Sequence, residues 1–199
     1  MPVSHRNRKG REYFLHEGKT ATGKPKYFFS QDDDGNLVDE IPAGYEIFEK
    51  PDSAQVYLRK SVASKISEAE RQYVQDECRR LADSEGVLVA VEHGALVVYT
   101  VSEADIDRTV EMFSKYGGML LSSRLESYRH QELREGRYDK MLRFTPTAKE
   151  RTLYRVERWC FRGSIDNWIP IGRSMPLQAA LETYAPHLQS ESFFELTPW

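Results

Sequence analysis

Residues 87–101 constrain the fold of this chain most. Val87, Val89 and Val91 fall on one face of a strand and Leu88 and Ala90 on the other, and residues 95–101 repeat this two-sided apolar pattern. Neither face is wet, so protein should cover both sides of the ribbon. His93-Gly94 between the two runs is the tip of a tight hairpin.

Helix signals flank the hairpin. Ser67-Glu68-Ala69-Glu70 is a capping box, because a serine oxygen can accept the amide three residues on while Glu70 reaches back. Tyr73, Val74, Cys78, Leu81 and Ala82 form the apolar stripe of that helix, and Gly86 suits a left-handed cap at its end. Ser102 starts a second helix, with Val101 and Ile106 as a hydrophobic staple and Val110 and Phe113 continuing the face to Gly117-Gly118. Residues 119–121 resemble a further strand, so the unit reads as an αββαβ layer.

Upstream, apolar and aromatic runs at 13–16, 26–30, 45–49 and 55–59 are separated by turn clusters such as Asp34-Gly35-Asn36 and Pro51-Asp52-Ser53. That spacing predicts a four-strand antiparallel meander. Downstream, residues 122–139 read as an exposed helix or a long connection. Strand patterns follow at 141–144, 153–161 and 165–171, the last two joined by Gly163-Ser164. After Ser174 comes an amphipathic helix through Leu177, Ala180, Leu181 and Tyr184, which Pro186 should end or bend before Leu188.

The fold class that results is α+β: an N-terminal antiparallel β-meander, a central αββαβ layer, and a C-terminal β-hairpin plus helix. The expected division is a flexible basic leader over 1–10, a β-meander subdomain over 11–62 and an α+β subdomain over 63–199.

Charge supports that division. Residues 1–26 hold seven Lys or Arg against two Glu, and residues 27–57 hold Lys50 against eight acids, within an overall net charge of −3. Arg6, Arg8, Lys9 and Arg11 make the leader basic, and acidic solvent-facing turns follow. The 23 aromatic residues supply large buried areas, while Tyr and Trp need polar partners for their OH and NH groups. Cys78 and Cys160, far apart in a helix and a strand pattern, read as free core thiols. With no apolar signal segment and no disulfide framework, the expected compartment is the cytoplasm. No run reaches the roughly 18 apolar residues of a membrane span, so no membrane partner is expected.

Most chemical motifs break at their diagnostic positions. Gly18-Lys19-Thr20 ends like a phosphate loop, but Tyr13 stands where the first glycine is needed and the context is β. Asp32, Asp34 and Asn36 match the first three ligands of a calcium loop, yet Leu37 replaces the turn glycine and Ala43 the closing glutamate. Glu126 and His130 could stack one helical turn apart, but two ligands do not make a metal site. No cofactor is implied.

What remains is an Arg and aromatic hairpin: Arg155, Arg158, Trp159, Arg162 and, across the turn, Trp168. Aromatic faces stack on bases, and guanidinium groups grip phosphates or carboxylates, so the composition suits binding. Alternation, however, puts Trp159 and Phe161 with Arg155 and Glu157, and Arg158 and Arg162 on the opposite face beside Val156 and Cys160. A plain sheet, with the aromatics under the C-terminal helix and the arginines paired with acids, explains the same residues.

No constellation of nucleophile, base and electrophile emerges. The expected function is therefore a non-catalytic interaction module that binds a protein partner. Nucleic-acid binding through the basic leader and the Arg/aromatic hairpin is the alternative, and an enzyme using scattered groups such as Glu126, His130 and Arg134 is the third reading. Oligomeric state is not readable from these residues.

Overall fold

The computed structural model describes residues 1–61, 66–117, 122–147, 152–162 and 165–197. Among them are ten strands and four α-helices in three antiparallel sheets, a mixed α+β architecture. The chain divides into two compact units, Met1–Ala63 and Ser64–Trp199.

The first unit holds a three-stranded meander of β1 (Ser4–Arg6), β2 (Glu12–Lys19) and β3 (Pro25–Ser30), plus a separate hairpin of β4 (Tyr45–Glu49) and β5 (Val56–Lys60). The expected four-strand meander is thus two sheets. The acid-rich connection after β3 is too long for a hairpin turn. It returns to the first sheet instead: Val38 N–H donates to the Leu15 carbonyl, and Glu17 N–H to that of Asn36.

Part of the expected leader forms a strand. β1 pairs antiparallel with β2 in the register Ser4↔Phe14, and Asn7 is buried. The Asn7 amide donates to the Ala54 carbonyl at 2.7 Å and its oxygen accepts Arg11 N–H at 2.9 Å, while Arg8 N–H donates to Glu49. A buried amide with both ends satisfied fixes the segment, and composition alone does not reveal it.

In the second unit one antiparallel sheet runs β10-β9-β8-β7-β6, with β6 at Val87–Glu92, β7 at Ala95–Thr100, β8 at Asp139–Pro146, β9 at Tyr154–Arg162 and β10 at Ile165–Pro170. The C-terminal hairpin therefore extends the central sheet. His93 and Gly94 both take positive φ, 50° and 75°, in the two-residue turn between β6 and β7 that the sequence indicates. Every residue of β7 is buried, as a ribbon apolar on both sides requires. The expected strand at 119–121 and the turn at Gly163-Ser164 lie outside the described residues.

Helices α1 (Glu68–Ala82) and α4 (Leu177–Tyr184) cover one face of the sheet. Val74, Cys78, Ala180, Leu181 and Tyr184 join Val87, Val89, Leu96, Val98, Leu142, Phe144 and Val156 in one core. Burying each such large aliphatic side chain contributes roughly 1.5–3 kcal/mol. Ser67 caps α1 by accepting Glu70 N–H at 3.1 Å, the serine half of the capping box, while the Glu70 carboxylate accepts the Tyr154 hydroxyl. The left-handed residue that ends the helix is Asp83 (φ 48°) rather than Gly86; a short polar side chain tolerates that conformation. Pro186 sits in the 3-10 turn Ala185–His187 that terminates α4.

The stripe of α1 differs from expectation in one informative way. Tyr73 is exposed while Gln75 is buried, because α1 uses polar side chains to close the outer edge of β6. Arg71 donates to the Val89 carbonyl at 3.0 Å, Gln75 accepts Val89 N–H at 3.0 Å, and Arg79 donates to the Val87 carbonyl at 3.1 Å. Spaced four residues apart, these three lie one above another on the helix and match alternate outward groups of the strand.

Between β7 and β8 stand α2 (Glu103–Gly117) and α3 (Ser122–Glu135), two helices in mutual contact. Phe113 of α2 meets Tyr128 of α3 edge to face at 5.9 Å.

Candidate functional site

The face of the second unit's sheet opposite α1 and α4 carries the residues of interest. Pairing aligns Ala90, Val97, Arg143, Glu157 and Pro170 in one row across all five strands. A second row contains Leu88, Tyr99 and Lys140, and Trp159 stands opposite Trp168 on the adjoining strands. Together they form an open groove of about 420 Å³, lined by Lys140, Arg143, Arg155, Trp159 and Trp168 on its cationic and aromatic side and by His93, Ala95 and Val97 toward the β6–β7 turn.

The aromatic pair organises the groove. The rings of Trp159 and Trp168 meet edge to face at 5.0 Å and 72°. The Arg143 guanidinium lies 4.6 Å from the Trp168 ring centroid, and the Lys140 ammonium lies 5.5 Å from that of Trp159 and 6.0 Å from that of Tyr99. Both acids nearby are engaged. Arg143 donates to the buried Glu157 carboxylate at 2.7 Å, and Glu92 accepts the Tyr99 hydroxyl and lies 3.6 Å from Lys140.

Of the residues singled out in the sequence, the structure brings Arg155, Trp159 and Trp168 together here. Arg155 is the most available of the cations, with its side chain 53% exposed and its Nε 3.8 Å from a Glu157 oxygen already held by Arg143. Arg158 is not part of the groove. It points to the core face, is buried, and donates from Nε to the Leu196 carbonyl of the C-terminal segment. The side chains of Arg162 and Phe161 lie outside the described residues.

Two details of the plain-sheet reading are corrected. Trp159 and Trp168 lie opposite the face that α4 covers, because Tyr154 and Val156, four and two residues from Arg158 on the same strand, fill the core beneath α4. Arg158 meets a carbonyl oxygen rather than an acid.

Lys140 and Arg143 escaped the sequence-based inventory for different reasons. Arg143 alternates with Leu142 and Phe144, so its outward direction was legible once that run was taken as a strand; what was missing was that β8 lies beside β9. Lys140 obeys no alternation. Val98 pairs with Leu142 but Tyr99 pairs with Lys140, so Met141 is the extra residue of a β-bulge. Met141 joins the core, and Lys140 is turned onto the groove face.

Glu126 and His130 of α3 line a second, shallower pocket of about 590 Å³ with Arg79, Arg80, Asp83 and Ser84. Four of its polar groups serve the fold: Arg79 holds the Val87 carbonyl, Arg80 pairs with Glu77, Arg129 with Asp107, and Ser84 Oγ accepts Gly86 N–H. Arg134 pairs with its neighbour Glu135. Among the described residues no group of three or more His, Cys, Asp or Glu side chains could hold a metal ion, and no helix is long and apolar enough to cross a membrane. Comparison with protein-family models, with curated proteins and with solved structures finds no match for the chain.

Proposed function

We propose that this protein is a non-catalytic binding module whose working surface is the groove of its five-stranded sheet, and that the partner is a protein. One observation carries this reading: Trp159, Trp168, Lys140, Arg143 and Arg155, drawn from three strands, face the same groove. Rigid tryptophans flanked by arginine are the composition on which protein interfaces concentrate their affinity. The Arg8 guanidinium donates to the Pro51 carbonyl, and β1 ties down the leader, so the basic tract offers little of the loose cationic arm that the nucleic-acid alternative needs. Cys78 and Cys160 are both free and buried, which supports a cytoplasmic setting.

A photo-crosslinking residue placed at Asn167, which is exposed and lines the groove, tests the assignment against the same residue placed at Glu182 on α4. In native cells the Asn167 position should yield protease-sensitive adducts that disappear with Trp168→Ala, and the Glu182 position should not. Nuclease-sensitive adducts would shift the assignment to single-stranded nucleic acid, for which the same aromatic and cationic face is suited. No groove-dependent adduct of either kind would remove the binding reading.

A further inference from the structure

The charge layout of the groove narrows its ligand. We infer that the group it recognises is a side-chain carboxylate on an extended acidic segment of the partner, gripped by the Arg155 guanidinium while the neighbouring chain lies against Trp168; this rests on the groove being the binding surface. Three cations line it against the single acid Glu92, with Glu157 buried beneath. Arg143 already holds one Glu157 oxygen with two of its N–H groups and stacks on Trp168, so it acts as a wall. The Arg155 side chain is half exposed, and a planar guanidinium fork matches a carboxylate through two parallel bonds. Thr145 stands directly opposite Arg155 in the β8–β9 ladder and lines the same groove, so the groove also holds a hydroxyl donor.

The surroundings select a short acidic segment over a long polyanion. Residues 64–199 carry 18 Lys or Arg against 21 Asp or Glu, a net charge of −3, so the excess of cations in the groove is not shared by the unit as a whole. A nucleic-acid strand carries a charge on every residue and would run on beyond the three cations over a unit whose net charge is negative. A peptide with one or two acids between neutral residues places its charge only where Arg155 and Lys140 are.

The test uses the full chain carrying Trp199→Phe, so that fluorescence reports Trp159 and Trp168 alone. The probes are a blocked heptapeptide with two adjacent glutamates among glycine and serine, its glutamine counterpart, and a hexathymidine strand. The glutamate peptide should perturb the emission and bind at least about tenfold more tightly than the glutamine peptide. Arg155→Ala should remove that preference, Arg155→Lys should restore part of it, and unchanged circular dichroism in both variants should show an intact fold. Equal binding of the two peptides overturns the carboxylate assignment while leaving the groove as a binding surface. Tighter binding of hexathymidine overturns it in favour of nucleic acid, and no response to any probe overturns both readings.

Discussion

The side-chain oxygen of Gln75 on α1 accepts the backbone N–H of Val89 in β6 at 3.0 Å, so a helix residue occupies the place where a sixth strand would pair. Arg71 binds the same Gln75 oxygen at 3.2 Å and the Val89 carbonyl at 3.0 Å, which joins the two contacts into one network. Gln75→Met keeps the volume but leaves a buried amide without its acceptor. It should lower stability by about 1–3 kcal/mol in urea denaturation and accelerate hydrogen exchange at Val89. Gln75→Glu, which keeps the acceptor and adds a charge beside Arg71, should retain most of the protection.

Asn7 ties the amino-terminal strand to the β4–β5 turn. Asn7→Ala removes a donor to Ala54 and an acceptor for Arg11 at a position only 4% exposed, at a cost of about 1–3 kcal/mol. Trypsin should then cut at Arg6, Arg8 and Arg11 much faster than in the parent chain. Equal cleavage rates would show that the segment is loose in both.

A Cβ added at Gly172 would come within 1.9 Å of the Tyr184 hydroxyl, which donates to the Ile171 carbonyl at 3.2 Å. Gly172→Ala should therefore destabilise by about 1–3 kcal/mol through displacement of the buried ring. Adding Tyr184→Phe removes the clashing oxygen and should recover part of the loss; additive effects in the double variant would place the strain elsewhere.

Burial pushes the Cys78 thiol up to about 12, with Glu77 adding to the shift. An unfolded cysteine titrates near roughly 8.5, so above that pH the unfolded chain releases a proton that the native state keeps. Stability should fall as pH rises from there, by about 2 kcal/mol between pH 7 and 10 from this group. Cys78→Ala should flatten that portion of the urea midpoint against pH, and thiol reagents should reach Cys78 only on unfolding. An unchanged slope in the variant would mean the native thiol ionises as readily as the unfolded one.

Arg158 offers a control for the groove. Because its Nε meets the Leu196 carbonyl on the core face, Arg158→Met should loosen the C-terminal segment and lower stability by about 1–3 kcal/mol without altering peptide affinity. Loss of affinity in a folded Arg158→Met variant would contradict the separation of the two faces.

The elements most legible in the sequence are those set by local chemistry. Ser67 caps α1, His93-Gly94 makes the tight turn and Pro186 ends α4, each through backbone geometry that a few neighbouring residues decide. The apolar stretch of β7 likewise declared its burial, whereas Leu88 and Val91 of β6 are only half-buried. What escaped depends on which strand lies beside which. Arg143 belongs with Trp168 only because β8 neighbours β9, and Lys140 faces the groove only because one residue bulges at Met141. The same holds for Tyr73 and Gln75: the helix exposes the aromatic and buries the amide because a strand edge needs an acceptor.

That helix-side seal also bears on how copies of the chain can meet. A sheet able to add strands at both ends can stack copy upon copy without limit, the geometry from which fibrils grow. In the five-stranded sheet, among the described residues, the edge left for backbone pairing is β10, where Trp168 N–H is already turned to its neighbour Asn167 at 2.8 Å and Pro170 has no amide hydrogen to give. Assembly by strand pairing through that margin of the sheet would stop at two copies.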